Sequence, residues 1–104
     1  MIIVFEKGYL KELYEEGKSK SKKYRFQKEV INQYKRTIDK LRAADAIEDL
    51  FPLKSLNYEK LIGTELESVR VNNQYRIEFI SYKKGEAPNV VTICSIKELS
   101  NHYK

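Results

Sequence analysis

Residues 66–79, Leu-Glu-Ser-Val-Arg-Val-Asn-Asn-Gln-Tyr-Arg-Ile-Glu-Phe, constrain the fold of this chain more than any other stretch. Apolar and polar residues alternate on both sides of an Asn-rich centre, the signature of two strands joined by a tight turn. Val69 and Val71 share one face of the first strand; Tyr75, Ile77 and Phe79 share one face of the second. Keeping those faces together fixes the register, because a one-residue slip would turn a whole apolar set into water. Matching Val71 to Tyr75 and Val69 to Ile77 leaves Asn72-Asn73-Gln74 as the loop and sets Arg70 opposite Arg76. Like charges facing across strands cost roughly 0.2–1 kcal/mol. Two readings stay open: a pair of guanidinium forks that grips a phosphate, or two solvated arginines flanked by Glu67 and Glu78.

The 104 residues suit one domain spanning 1–104, long enough for a single modest core. No apolar run approaches the roughly 18–20 residues of a membrane span. The opening Met-Ile-Ile-Val-Phe lacks the basic start of a signal peptide and reads as a first strand. Cys94 is the one cysteine, which excludes an internal disulfide and fits a reducing cytoplasm. Its apolar neighbours mark it as a small buried hydrophobe rather than a reactive thiol. A net charge of +5 favours a polyanion or an acidic protein as partner. Lys18, Lys20, Lys22, Lys23, Arg25 and Lys28 form a run without an acid. It is either a solvated connector and helix start or an electrostatic footprint for nucleic acid.

Residues 8–16 carry Leu10, Leu13 and Tyr14 at helical spacing, with Gly17 as the stop. After a Lys/Ser connector at 18–22, a longer helix is expected over 23–44. Phe26, Val30, Tyr34, Ile38 and Leu41 form its continuous core-facing stripe. Asp45, as N-cap, and Glu48, reaching back, predict a capping box and a short turn that Pro52 ends. Residues 53–61 read as irregular, Gly63 as a turn, 83–88 as a loop and 89–96 as the most strand-prone run. The order β, α, α, β, β, β is that of an α+β domain.

Four features resemble the RelE/HigB-type toxins of bacterial type II toxin–antitoxin systems, most closely the HigB branch. They are the opening strand with Leu-Lys-Glu-Leu-Tyr-Glu-Glu-Gly at 10–17, and Tyr-Glu-Lys-Leu-Ile-Gly at 58–63. The third and most specific is Ser-Val-Arg-Val-Asn at 68–72 followed by Tyr-Arg-Ile at 75–77; the last is the tail Asn-His-Tyr-Lys at 101–104. The resemblance implies a RelE-like α+β fold, two N-terminal helices packed on a curved antiparallel sheet. It implies a cytoplasmic, ribosome-dependent mRNA endonuclease that needs no cofactor. The implied partners are the ribosome, mRNA and a cognate helix-turn-helix antitoxin of HigA type that silences the toxin, with no membrane.

Metal-free RNA cleavage needs a base for the 2′-OH, an acid for the leaving 5′-oxygen, and cations for the developing charge. One His, one Cys and scattered carboxylates offer no metal-ligand spacing. Arg70 and Arg76 fill the charge role and match the family's two arginines. Lys60 is a candidate third cation or a plain surface lysine. His102 and Tyr103 are the acid–base and base-stacking candidates, in inverted order relative to the family's tail. Glu59 stands where HigB-type sequences carry a histidine. It would serve as base, a weak one beside cations, or pair with Lys60 or Arg76. Lys104 and the basic run at 18–25 complete the expected RNA and ribosome contacts. Two other classes stay open: a gyrase-inhibiting toxin of ParE type, and a non-catalytic RNA- or antitoxin-binding member of the fold.

Overall fold

The computed structural model describes residues 1–101, and within them the apolar pattern closes a single helix-on-sheet core. Strand β1 (Ile2–Phe5) leads into helix α1 (Gly8–Glu16). Tyr9, Leu10 and Leu13 are the buried residues of α1. Gly17 ends it in the left-handed region at φ 73°, its N–H donating to Leu13 O at 3.2 Å. Helix α2 (Lys28–Ala43) buries Val30, Ile31, Tyr34, Thr37, Ile38 and Leu41. The Tyr34 hydroxyl donates to Leu10 O at 2.8 Å, so the polar tip of a fully buried side chain locks the two helices together.

A five-stranded sheet runs β1-β5-β4-β3-β2, where β2 is Glu59–Lys60, β3 Glu67–Arg70, β4 Arg76–Lys84 and β5 Val91–Ser100. Val69, Ile77, Phe79, Cys94, Ile96 and Leu99 join the two helices in one buried cluster. Each such aliphatic or aromatic side chain contributes about 1.5–3 kcal/mol by leaving water.

The hairpin forms in the expected register: Val69 pairs with Ile77 and Arg70 with Arg76. Val71 N donates to Tyr75 O at 3.0 Å, closing the loop. Other expectations need correction. The sheet is mixed, since β1 lies parallel to β5 while every other pair is antiparallel. Its cause is topological: β5 returns antiparallel to β4 and is flanked on its free side by β1, which the helices connect across the layer.

The second helix starts at Lys28, not 23. Residues 22–24 make a single 3-10 turn, with Ser21 Oγ accepting from Lys23 N at 3.3 Å, and Arg25 and Gln27 are extended. Tyr24 stacks on Tyr9 at 3.7 Å between centroids, and Phe26 meets Tyr75 edge-on at 5.5 Å. Residues two apart on a helix point to opposite sides. An extended backbone lets both rings dock, so Phe26 reaches the core from the connector.

The turn after α2 is offset by one residue from the expected capping box. Ala46 is the N-cap, and Asp49 Oδ2 accepts from the backbone N–H of Ala46 at 3.1 Å and Asp45 at 3.2 Å. That offset puts Ile47 and Leu50, one 3-10 turn apart, against the core. Residues 53–61 are ordered as a 3-10 turn (Lys54–Leu56), Asn57 at φ 42°, and β2. Strand β4 continues through Lys83 and Lys84, and β5 runs on to Ser100. A bulge lets β5 do so: Phe79 pairs with Ile96 but Glu78 with Glu98, leaving Lys97 unmatched.

Candidate functional site

The cross-strand pairing of Arg70 with Arg76 puts both on the sheet face opposite Val69 and Ile77. Ser68 lies on that face beside Arg76, and the pairing of Glu59 with Ser68 adds Glu59 to it. The two arginines are anchored differently. Arg76 is 5 % exposed. Its Nε donates to Ser68 Oγ at 3.0 Å and its Nη2 to the Asn57 carbonyl. Glu59 Oε2 lies 3.9 Å from Arg76 Nη2, so the expected pairing of Glu59 is with Arg76. Arg70 is exposed. It curls over the hairpin loop, donating to Asn72 O at 3.2 Å and to Asn73 Oδ1.

The loop itself is braced. Asn72 Oδ1 accepts from Gln74 N and Tyr75 N at 2.8 Å each, and Asn72 Nδ2 donates to Gln33 Oε1 of α2 at 2.7 Å. An open cleft of about 370 Å³ borders Arg70, lined also by Gln33, Ser55, Val71, Asn72 and Asn73. A strand of RNA laid across it would meet one exposed guanidinium and several amide groups, donors suited to phosphate and base edges.

Three sequence expectations change here. The picture of two solvated arginines fails for Arg76, which is buried and bonded to the β3 backbone and to Asn57. Glu67 does not flank the arginines: three residues from Arg70, it falls on the helix side, where it is 5 % exposed and bonded to Tyr58 and Ser81. Lys60 does not join them either, since its pairing with Glu67 places it on the other face of the edge strand from Glu59.

The later part of the basic run is drawn toward the same end of the sheet, while Lys18 and Lys20 follow the C-terminus of α1, where Ser19 bonds Glu12. Lys18, Lys20, Lys22, Lys23, Arg25 and Lys28 are all exposed. Lys23 Nζ sits 5.4 Å from the Tyr24 ring centroid, a cation–π contact. Tyr24 stacks on Tyr9, whose hydroxyl accepts from Leu99 N at 3.2 Å near the end of β5. Phe26 packs on Tyr75, beside Arg76. Residues 24–26 of the connector therefore lie along the end of the sheet where β3 finishes, β4 begins and Ser100 pairs with Arg76. His102, Tyr103 and Lys104 lie outside the described residues.

Sequence reasoning missed Asn57 and Tyr58 as parts of this site. Asn57 is the one described non-glycine residue with positive φ, a conformation Asn tolerates better than most residues. Tyr58 sends its hydroxyl through to Glu67 at 2.5 Å. Burial first, and then that bond, hold its phenol well above the ordinary tyrosine range, so it stays a donor at neutral pH. The strand-turn signal at 57–59 was too short to read.

Among the described residues no group of three or more His, Cys, Asp or Glu is placed to hold a metal ion, and no helix is long and apolar enough to cross a membrane.

Two helices on a five-stranded mixed sheet, with a cationic hairpin end, define a small α+β domain whose charged end suits an anionic partner. The sequence model of the RelE-like toxin of the type II toxin–antitoxin system HigB matches residues 3–97, and the chain belongs to that family. No curated protein and no solved structure matches it.

Proposed function

We propose that the protein is a ribosome-dependent mRNA endonuclease of the cytoplasm, neutralised by a helix-turn-helix antitoxin of HigA type. Membership of a type II toxin family makes a cognate antitoxin the natural partner. The observation that carries the chemistry is the cross-strand Arg70–Arg76 pair with Glu59 beside Arg76. In this reading the 2′-OH attacks the adjacent phosphorus and the arginines stabilise the charge that develops on the phosphate oxygens. Arg70 is the exposed cation that meets the phosphate, and Arg76 supplies positive charge from beneath. Glu59 takes the 2′-OH proton, and His102 and Tyr103 serve protonation of the 5′-oxygen and stacking. The ribosome supplies the geometry, since holding RNA ready for in-line attack is worth several kcal/mol. Lys18, Lys20, Lys22, Lys23, Arg25 and Lys104 hold ribosomal or messenger phosphates, with Lys60 contributing from the edge strand.

Primer extension on mRNA in a purified translation system, with and without ribosomes, tests this. Wild type should give cuts in codon register only when ribosomes are present, and Arg70→Ala should reduce them by about 100-fold. Uncut mRNA in the presence of ribosomes would overturn it. One observation favours a second reading, a non-catalytic binding member of the fold: Arg76 spends donors on Ser68 and the Asn57 carbonyl inside the protein. Translation blocked with intact mRNA is the result that reading requires. Gyrase inhibition without RNA cleavage would mark a toxin of ParE type instead.

A further inference from the structure

Behind the arginine face, Glu67 is a buried carboxylate that the proposed chemistry does not use. It accepts three hydrogen bonds: from the Tyr58 hydroxyl at 2.5 Å, Ser81 N at 2.9 Å and Ser81 Oγ at 2.6 Å. A carboxylate in a core is costly even when so well satisfied, and an apolar side chain would fill the space without that cost. Its effect falls on Tyr58. The Tyr58 ring packs against Phe51 (5.1 Å) and Phe79 (6.5 Å), which sets its depth, and the bond to Glu67 sets its direction.

Tyr58 lies between two residues that face Arg76. Asn57, at φ 42° and ψ 58°, turns its carbonyl to the guanidinium, and Glu59 places a carboxylate oxygen 3.9 Å from it. Tyr58 goes to the helix side while its neighbours face the other. One tether on the helix side therefore fixes, through the backbone of 57–59, both groups around the arginine.

We propose that Glu67 is a positioning residue: acting through the Tyr58 hydroxyl, it sets the Asn57 carbonyl and the Glu59 carboxylate against Arg76. Its role in cleavage rests on the reading of this face as the RNA-cutting site, but its hold on Arg76 is measurable without RNA.

Tyr58→Phe removes one hydroxyl and keeps the ring; Glu67→Leu keeps the bulk and removes both acceptor oxygens. Solvent exchange of the Arg76 Nη–H protons, the ones that meet Asn57 and Glu59, followed by NMR, should speed up by roughly tenfold in each variant. Single-turnover cleavage of saturating ribosome-bound mRNA should slow by roughly tenfold or more, with ribosome affinity unchanged. The double variant should be no worse than the poorer single, because both cut the same tether. Wild-type exchange and wild-type cleavage in variants that merely melt earlier would overturn the proposal and leave Glu67 a stabilising residue. Faster Arg76 exchange in the variants of a protein that cuts nothing would uphold the tether and sink the nuclease reading.

Discussion

Arg70 and Arg76 are the same residue type at paired positions, yet their surroundings make them different tools. Arg70 is exposed, and its bonds go to a loop that water reaches. Arg70→Ala should shift the denaturant midpoint little, within about 0.5 kcal/mol. Arg76→Ala strands the buried Ser68 hydroxyl and removes the donor of the Asn57 carbonyl, so it should cost about 2 kcal/mol. A comparison of urea unfolding curves checks both, and a cleavage defect in Arg70→Ala is then the cleaner sign of chemistry. Asn57 gives a second case. A left-handed backbone at φ 42° should make Asn57→Ala cost about 1 kcal/mol, with Asn57→Gly nearly neutral, in the same unfolding assay.

Among the elements, the β4–β5 hairpin carries more of the sheet's pairing than any other strand pair, nine residue pairs from Arg76–Ser100 to Lys84–Val91. Its turn depends on Gly85, at φ 97°, where an added Cβ would lie 2.5 Å from the Asn89 carbonyl oxygen. Backbone cannot yield as a flexible side-chain tip can. Gly85→Ala should therefore lower thermal stability by more than about 1 kcal/mol, measured by calorimetry. The β3–β4 hairpin was legible to the residue, because alternation on two strands leaves one register that buries both apolar faces. The stripe from Val30 to Leu41 was legible for the same reason at helical period. The start of α2 was not, since Phe26 continues the period while tertiary contact with Tyr75 draws it out of the helix. The parallel partner of β1 was hidden because the chain carries no local mark of which strand closes the sheet. At the site, pairing revealed Arg70 opposite Arg76, but depth did not follow. Nothing in the sequence says that Ser68 and Asn57 will enclose one guanidinium and leave the other in water.

At the scale of the whole molecule, the core holds several groups that stay protonated longer than they would in water. Burial pushes the Cys94 thiol up to about 12 from 9.0, and burial foremost also raises the phenols of Tyr9, Tyr34 and Tyr58 above their usual 10.0. As pH climbs past about 9 the unfolded chain sheds these protons first and binds fewer than the folded one. Stability is then complete below that pH and declines as pH rises toward the folded values. Urea midpoints should fall by the equivalent of 1–2 kcal/mol or more by about pH 10.5, on the order set by that linkage. Cys94→Ala should show a shallower decline, and a flat profile in wild type would contradict the burial of these groups. The sheet order has a further consequence, for biosynthesis. Strand β5, made after all the others, sits between β1 and β4. Until residues 91–100 have left the ribosome, β1 has no partner and the edge of β4 that pairs with β5 is open. Local helices can form early, but the sheet closes only across contacts some ninety residues apart in sequence, the slow kind. The arginine end, where Arg76 pairs with Ser100, is among the last parts to be completed. The proposed RNA-cutting face is thus incomplete until residues 91–100 have emerged and paired with β4.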